Sequence, residues 1–306
     1  MNKINCDVLI LGAGVSGLTA GIYSSRNQLN TIILDTKIAG GQVLNTYEIE
    51  NYTGYKNIKG YELADKMIEQ AKSFGVKIFE IQEIIDINLN GEYKIVKTID
   101  NEFIAKSIII ATGAEPRKLP VENEDKFRGK GIHYCAVCDG SFYKNKDIIV
   151  VGGGMSALEE SLYLTKFVNS IKIVYRGNKF NVSNNLSNAV NNNSKINVIY
   201  NSVIDNVYGD DVINSVSIKN LIDNSIEHLI IDGIFTFIGL NPNTSTFENK
   251  IAMKDGYIVT DEDMMTNVGG IFAIGDVRAK KVRQISTAVG DGAISGIMVG
   301  RYLDSI

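Results

Sequence analysis

Residues 7–23 read "DVLILGAGVSGLTAGIY", and residues 147–163 read "DIIVVGGGMSALEESLY". The second stretch repeats the first at a spacing of 140 positions. Asp, Gly, Gly, Ser, Leu and Tyr coincide, and the other positions mostly exchange one apolar residue for another. Each copy is a short β-branched apolar run, then a glycine-rich turn, then a helical pattern, which is a buried parallel strand feeding a helix. The glycines have separate tasks. Gly12 and Gly152 permit the tight turn, and Gly14 and Gly154 let the backbone approach a pyrophosphate. Gly17 and Ala157 let helix and strand pack closely. The helix N-terminus then presents unpaired N–H groups and its positive dipole end to a phosphate. One such turn is a weak signal; two, each placed between a strand and a helix, are a strong one.

The first copy continues into a second strand, "TIILD", that ends at Asp35. A carboxylate about 20 residues past the glycines accepts hydrogen bonds from an adenosine ribose. Residues 1–40 therefore read as an intact adenine-dinucleotide site. The same spacing carries Asp35 onto Tyr175, at the end of "IKIVY". The second copy has no carboxylate there to read an NADH ribose. A 2′-phosphate would want an arginine cluster, and the neighbouring cations are Arg176 and Lys179. Residues 181–201 hold nine asparagines and no arginine, so they do not restore that cluster; their bias is read as compositional drift.

The totals set limits around this pair of turns. A chain of 306 residues is long enough for two domains of ordinary size. A net charge of −4 gives no basic field for nucleic acid or an anionic membrane. No apolar run approaches a membrane span. The opening residues enter a strand pattern at once, without a charged-then-apolar leader layout, and a cytoplasmic location is expected.

Three cysteines are too few and too odd for a secreted disulfide framework. Cys6 opens a buried-looking strand and reads as a small core residue. Cys135 and Cys138, in "YCAVCDGSFY", form a CxxC followed by Asp139. The pair could be a zinc corner, an accident of packing or a redox couple. A structural zinc wants four ligands, and no second CxxC or HxxxH completes a set, so no metal site is expected. A CxxC closes a small ring whose disulfide reduces and reforms readily through the thiolate. Asp139 has both a helix-capping role and an acid/base role open to it. His133, two residues before the pair, reads as a partly exposed strand histidine with no role.

Two further segments punctuate the chain. "IIIATGAEPRKLP" (108–120) looks like an exit from the first domain, and "GIFTFIGLNPNTS" (233–245) like the way back. "GGIFAIGDVRAKKVRQISTAVGDGAISGIMVG" (269–300) is a strand, a turn bearing Asp276, and a Gly/Ala-rich helix suited to packing closely against a cofactor.

Together, "GAGVSG", "GGQVLNTYEIENYTGY", "ATGAEPR", "CAVCDG", "GGGMSALEE", "FIGLNPNT" and "GDVRAKKVRQISTAVGDGA" resemble the low-molecular-weight thioredoxin reductases, in that family's order and over essentially the whole chain. The resemblance implies an α/β fold of two doubly wound (Rossmann-like) domains, the smaller nicotinamide-type domain inserted into the FAD domain. The boundaries expected are 1–114 and 244–306 for the FAD domain, and 115–243 for the insert that carries the CxxC. It implies a homodimer. It implies FAD held by Gly12, Gly14, Gly17 and Asp35, with Gly41, Gln42 and Asn51 along the cofactor. Thr112, Gly113, Gly275, Asp276, Arg283, Gln284 and Ile285 would complete that site. Cys135 and Cys138 would be the redox disulfide that exchanges electrons with the flavin and then reduces thioredoxin, with Asp139 as the acid/base.

The family's NADPH motif, His-Arg-Arg with a further Arg, falls on Tyr175, Arg176, Gly177 and Asn181. Three of those four have changed. A subset of the family takes electrons from reduced ferredoxin instead, and this sequence looks like that subset. A donor site for acidic ferredoxin should be basic. "RAKKVR" (278–283), and Arg117 and Lys118 with Lys126, Arg128 and Lys130, are candidates, or equally a solvated face with cofactor contacts. Two alternatives stay open: an NADPH- or NADH-dependent enzyme with a degenerate 2′-phosphate site, and a related flavoprotein with another acceptor.

Overall fold

The structure is a computed structural model that describes every residue except Tyr47, with Asn45 described by its backbone alone. The chain divides into two compact units: Met1–Glu115 with Asn241–Ile306, and Pro116–Leu240. The first is built on a mixed sheet with a parallel centre and the second on a parallel sheet, so the chain adopts the expected class, two doubly wound α/β domains with the smaller inserted into the larger.

In the first unit the strand order is Lys77–Phe79, Thr31–Leu34, Asn2–Leu11, Asn101–Ile110, Lys94–Thr98, Ile84–Asn88, and Ile271–Ala273 also pairs with Asn101–Ile110. Strand Asn2–Leu11 lies parallel to Asn101–Ile110, with Leu9 opposite Ile108 and Leu11 opposite Ile110. Val8, Leu9, Ile10 and Leu11 are all buried, on both faces of the sheet. That is why the strand reads as an unbroken apolar run and not as an alternation.

Helix Val15–Arg26 follows the first turn, and the long C-terminal helix Ile285–Asp304 packs against it. The contact is close because it is made by glycines one turn apart. A methyl on Gly292 would lie 2.5 Å from the Ser16 carbonyl oxygen, one on Gly296 2.6 Å from Tyr23 Cβ, and one on Gly300 2.8 Å from Asn27 Nδ2. Asn27 Nδ2 also donates to the Gly296 carbonyl at 3.1 Å. The small residues of this helix thus serve helix–helix packing, where the sequence pointed to a cofactor.

In the second unit a five-stranded parallel sheet runs Ile132–His133, Gly233–Thr236, Asp147–Val151, Ser170–Val174, Ile196–Ile199. A three-stranded antiparallel meander, Ser202–Gly209, Ile213–Asn220 and Ile226–Ile230, completes it. Among the described residues no helix is long and apolar enough to cross a membrane.

Candidate functional site

The two glycine turns are structural copies. Gly12 has φ +114° and Gly152 φ +139°. Gly12 N donates to the Leu34 carbonyl at 2.7 Å, and Gly152 N to the Val174 carbonyl at 3.1 Å. A side chain on Gly12 would run into the Ala111 carbonyl, and one on Gly152 into that of Phe237. Gly14 and Gly154 occupy the N-cap of the following helix in extended conformation. A methyl on Gly17 would collide with the Gly12 carbonyl, whereas the second turn accommodates Ala157.

What lies over the turns differs. In the first unit the Gly40–Gly41 backbone crosses Gly14: a Cβ on Gly41, at φ +67°, would sit 2.8 Å from Gly14 Cα. Asp35 faces the turn from the end of its strand. Its Oδ2 accepts the Ala13 amide at 2.6 Å and its Oδ1 that of Lys37 at 2.8 Å. In the second unit the corresponding positions are Tyr175 and Gly153. The Tyr175 ring lies flat against Gly153 and Gly177, where any side chain would strike it. Phe180 stacks on that ring at 5.7 Å, and Tyr200 packs on Phe180 at 5.2 Å. An aromatic stack therefore occupies the strand end that carries a carboxylate in the first copy.

The rest of the first site comes from distant segments of the same unit. Asn51 Nδ2 donates to Gln284 Oε1 at 3.2 Å. Gln284 is also the N-cap of the C-terminal helix, in a capping box with Thr287, and Ile285 opens that helix. Gln42 stands in the short 3-10 turn Gly41–Asn45. Thr112 Oγ1 donates to the Asn243 carbonyl at 2.7 Å, Asn243 Nδ2 donates to the Thr112 carbonyl at 2.9 Å, and Asn243 N donates to the Gly113 carbonyl at 3.0 Å. Gly113 has φ +71° and Gly275 φ +72°.

Asp276 is the carboxylate of this unit with a buried oxygen left without a hydrogen bond among the described residues. Its Oδ1 is that oxygen, and Lys280 Nζ is 3.9 Å away. Burial pushes its carboxyl up, against the pull of Lys280 and Arg283. Such an orphaned oxygen beside a glycine cradle is what a hydroxyl-bearing pyrophosphate cofactor would satisfy. The residues present therefore fit FAD.

Sequence reasoning missed Asp291. It is buried, accepts the Gly275 amide at 3.0 Å, and holds Arg278 at 3.1 Å and Lys280 at 2.9 Å. Its sign in the sequence is an acid set between Gly290 and Gly292 in a helix rich in small residues. Arg283 lies 4.1 Å over the Tyr257 ring and donates to the carbonyls of Asp276 and Arg278. The run "RAKKVR" is thus largely spent inside the unit, and only Lys281 of its four cations is exposed. In the other candidate patch Lys118 pairs with Glu124 and Asp125. We expect Asp291→Ala to lower stability by about 3 kcal/mol, because it takes from the partly buried Arg278 its carboxylate and from Lys280 the nearer of its two. Asp291→Asn should cost less, and denaturant midpoints measure both.

In the second unit Cys135 and Cys138 form a disulfide, with Cα atoms 5.3 Å apart. Cys135 caps the one-turn helix Ala136–Asp139, and its Sγ accepts the Cys138 amide at 3.1 Å. Both cysteines are half-buried, and Val137 between them and Phe142 beyond are exposed. His133 is not the partly exposed histidine that the sequence indicated: it is 8% exposed. Its strand pairs in parallel with Gly233–Thr236, which lays the imidazole on Phe235. Nδ1 is 3.2 Å from Asp139 Oδ2, and Nε2 is 2.7 Å from the Tyr143 hydroxyl. Cys6 is buried in the first unit, and burial pushes its thiol up to about 12, which leaves it unreactive.

The pyridine nucleotide-disulphide oxidoreductase family model matches residues 6–292. A thioredoxin reductase of Listeria innocua is 43% identical over 304 residues, covering 98% of this chain and 94% of that protein. The crystal structure of a thioredoxin reductase from Streptococcus pyogenes superposes with a TM-score of 0.94 at 42% identity and covers 99% of each chain. A ferredoxin-flavin thioredoxin reductase from Clostridium acetobutylicum is 26% identical, with a TM-score of 0.54 and all of both chains covered. FAD is the cofactor these flavoproteins share. With its glycine cradle, its orphaned Asp276 oxygen and its paired cysteines, the chain belongs to the pyridine nucleotide-disulphide oxidoreductases and, among them, to the thioredoxin reductase family.

Proposed function

We propose that this chain reduces thioredoxin through the Cys135–Cys138 disulfide and draws its electrons from reduced ferredoxin rather than from NADPH. In this reading Gly12, Gly14, Gly17 and Asp35 hold the pyrophosphate and ribose of FAD. Gly41, Gln42, Asn51, Thr112, Gly113, Gly275, Asp276, Arg283, Gln284 and Ile285 line the remainder. Bound there, FAD would supply the redox chemistry that links the donor to the disulfide. Two reduced ferredoxins supply the two electrons that break one S–S bond. The resulting dithiol attacks the acceptor disulfide and passes through a mixed disulfide. Asp139, next in the chain to Cys138, moves the proton. The exposed Val137 and Phe142 offer apolar contact to a docking protein. The enzyme acts as a cytoplasmic homodimer, with 1–114 and 244–306 as its FAD domain and 115–243 as the insert.

The observation that carries the choice of donor is the end of strand Ser170–Val174. There Tyr175 lies on Gly153 and the stack of Phe180 and Tyr200 follows it. A second reading, a nicotinamide donor, draws support from the second turn itself, which keeps the backbone of the first and leaves Gly154 with no atom within 4 Å of a built Cβ among the described residues. The Listeria innocua and Streptococcus pyogenes relatives, at 43% and 42% identity, also carry the plain name thioredoxin reductase.

Anaerobic mixing of the FAD-loaded protein with NADPH, NADH or chemically reduced ferredoxin, with thioredoxin present, separates the two readings. Rapid bleaching of the flavin absorbance by ferredoxin alone is expected. Bleaching by NADPH at a comparable rate would assign the donor to the pyridine nucleotide and leave the thioredoxin reductase activity standing.

A further inference from the structure

The imidazole of His133 sits between two polar groups and one aromatic face. Asp139 comes from the one-turn helix, Tyr143 from the following 3-10 turn and Phe235 from the neighbouring strand. The remaining charges act on Tyr143: the Asp232 carboxylate influences its hydroxyl, and Lys146 Nζ lies 5.3 Å over its ring. His133 and Tyr143 are both buried, and a side chain on Gly233 would strike the Tyr143 ring. The imidazole is stacked on Phe235 and bonded at both ring nitrogens.

Hydrogen-bond roles follow from chemistry. An ionised Asp139 only accepts, so His133 Nδ1 carries the proton and donates to Oδ2. Nε2 is then an acceptor, and the Tyr143 hydroxyl donates to it. Burial, followed by the nearby Asp139 and Asp232 charges, pushes the Tyr143 hydroxyl well above the ordinary tyrosine range, so that proton stays in place. When Asp139 takes up a proton on Oδ1, its Oδ2 still accepts the Nδ1–H, and the Tyr143 hydroxyl still donates to Nε2. Every group stays satisfied in both states.

We infer that His133 is a positioning residue, whose Nδ1–H fixes the Asp139 carboxyl in one orientation whether that carboxyl is ionised or neutral. The inference rests on Asp139 being the acid/base proposed above. Reduction of the disulfide uses two electrons from reduced flavin and two protons to make two thiols. Exchange with the acceptor then returns two electrons and two protons to two acceptor sulfurs. A carboxyl that handles one of these protons in each direction needs the same geometry ionised and neutral, and a buried imidazole with a hydroxyl behind it supplies that.

The test uses the full-length FAD-loaded protein. The chain has two histidines, His133 and His228, so ¹⁵N-histidine labelling gives two imidazole signal sets, assigned with His228→Gln. The oxidised protein should show His133 protonated at Nδ1. The reduced dithiol is then reacted with a small aromatic disulfide from about pH 5 to 9. His133→Leu should slow this by about tenfold at neutral pH and shift the pH profile. His133→Asn places an N–H donor where Nδ1 stood and should recover to within about threefold. A His133 proton on Nε2, a His133→Leu rate and profile like the parent's, or a His133→Asn variant as slow as His133→Leu would each overturn the inference. Asp139→Asn separates the two levels. If it slows exchange while His133→Leu does not, the role of His133 alone fails. If it changes nothing, the acid/base reading of Asp139 fails first.

Discussion

Replacing either Cys135 or Cys138 with serine is expected to lower thioredoxin reduction by about a thousandfold or more while leaving the flavin bound. The two sulfurs are one covalent unit, and electrons leave the protein only through an S–S bond that forms and breaks. A serine oxygen cannot take part in that exchange at all, so the two single variants and the double variant should be equally inactive. Little of the loss should come from the fold. The ring closed by a separation of three residues is small, and in the chain-entropy account its closure contributes only about 2 kcal/mol. Flavin content and denaturant midpoint measured beside the activity test this. The remaining thiol in one of the two variants should trap thioredoxin as a mixed disulfide, which non-reducing electrophoresis detects and which identifies the attacking cysteine. Turnover within about tenfold of the parent in any serine variant would remove the disulfide from the electron route.

Gly12→Ala should be the most damaging single methyl in the first unit. Two costs coincide there. Gly12 has φ +114°, where an L-residue is strained by of order 1–3 kcal/mol. The added methyl would also meet the Ala111 carbonyl, at the end of the strand paired with Asn2–Leu11, and that backbone cannot yield without parting two central strands. Together the two are expected to cost roughly 3 kcal/mol or more, and to empty the flavin site because the turn can no longer close. Gly54→Ala is the control. Its φ is +109°, yet nothing lies within 4 Å of its built Cβ among the described residues, so only the backbone strain remains. Denaturant midpoints and bound flavin should therefore fall sharply in the first variant and modestly in the second. Equal behaviour would mean that steric closure of the turn is not what Gly12 provides.

Much of this protein is legible in one dimension. The strand–turn–helix units at residues 7–23 and 147–163 are local, and their glycines are required by backbone geometry within a few residues of themselves. The CxxC is local too: three residues of separation leave the two sulfurs within reach of each other. The fold class, the two glycine turns, the cysteine pair and the missing carboxylate at Tyr175 could therefore all be read directly from the chain.

Tertiary structure decided whatever depends on distant partners. The basic run at residues 278–283 reads as a surface patch, but Asp291 and Tyr257 take up Arg278, Lys280 and Arg283. The small residues of the C-terminal helix could suit any close neighbour, and only packing shows that the neighbour is helix Val15–Arg26. His133 reads as an idle strand residue until strand pairing lays it on Phe235 and two turns bring Asp139 and Tyr143 to its ring nitrogens. Backbone conformation is set by each residue and its immediate neighbours, so it shows in the sequence. The pairing of charges and the burial of polar groups are set by contacts between segments far apart in the chain, and the order of residues does not carry them.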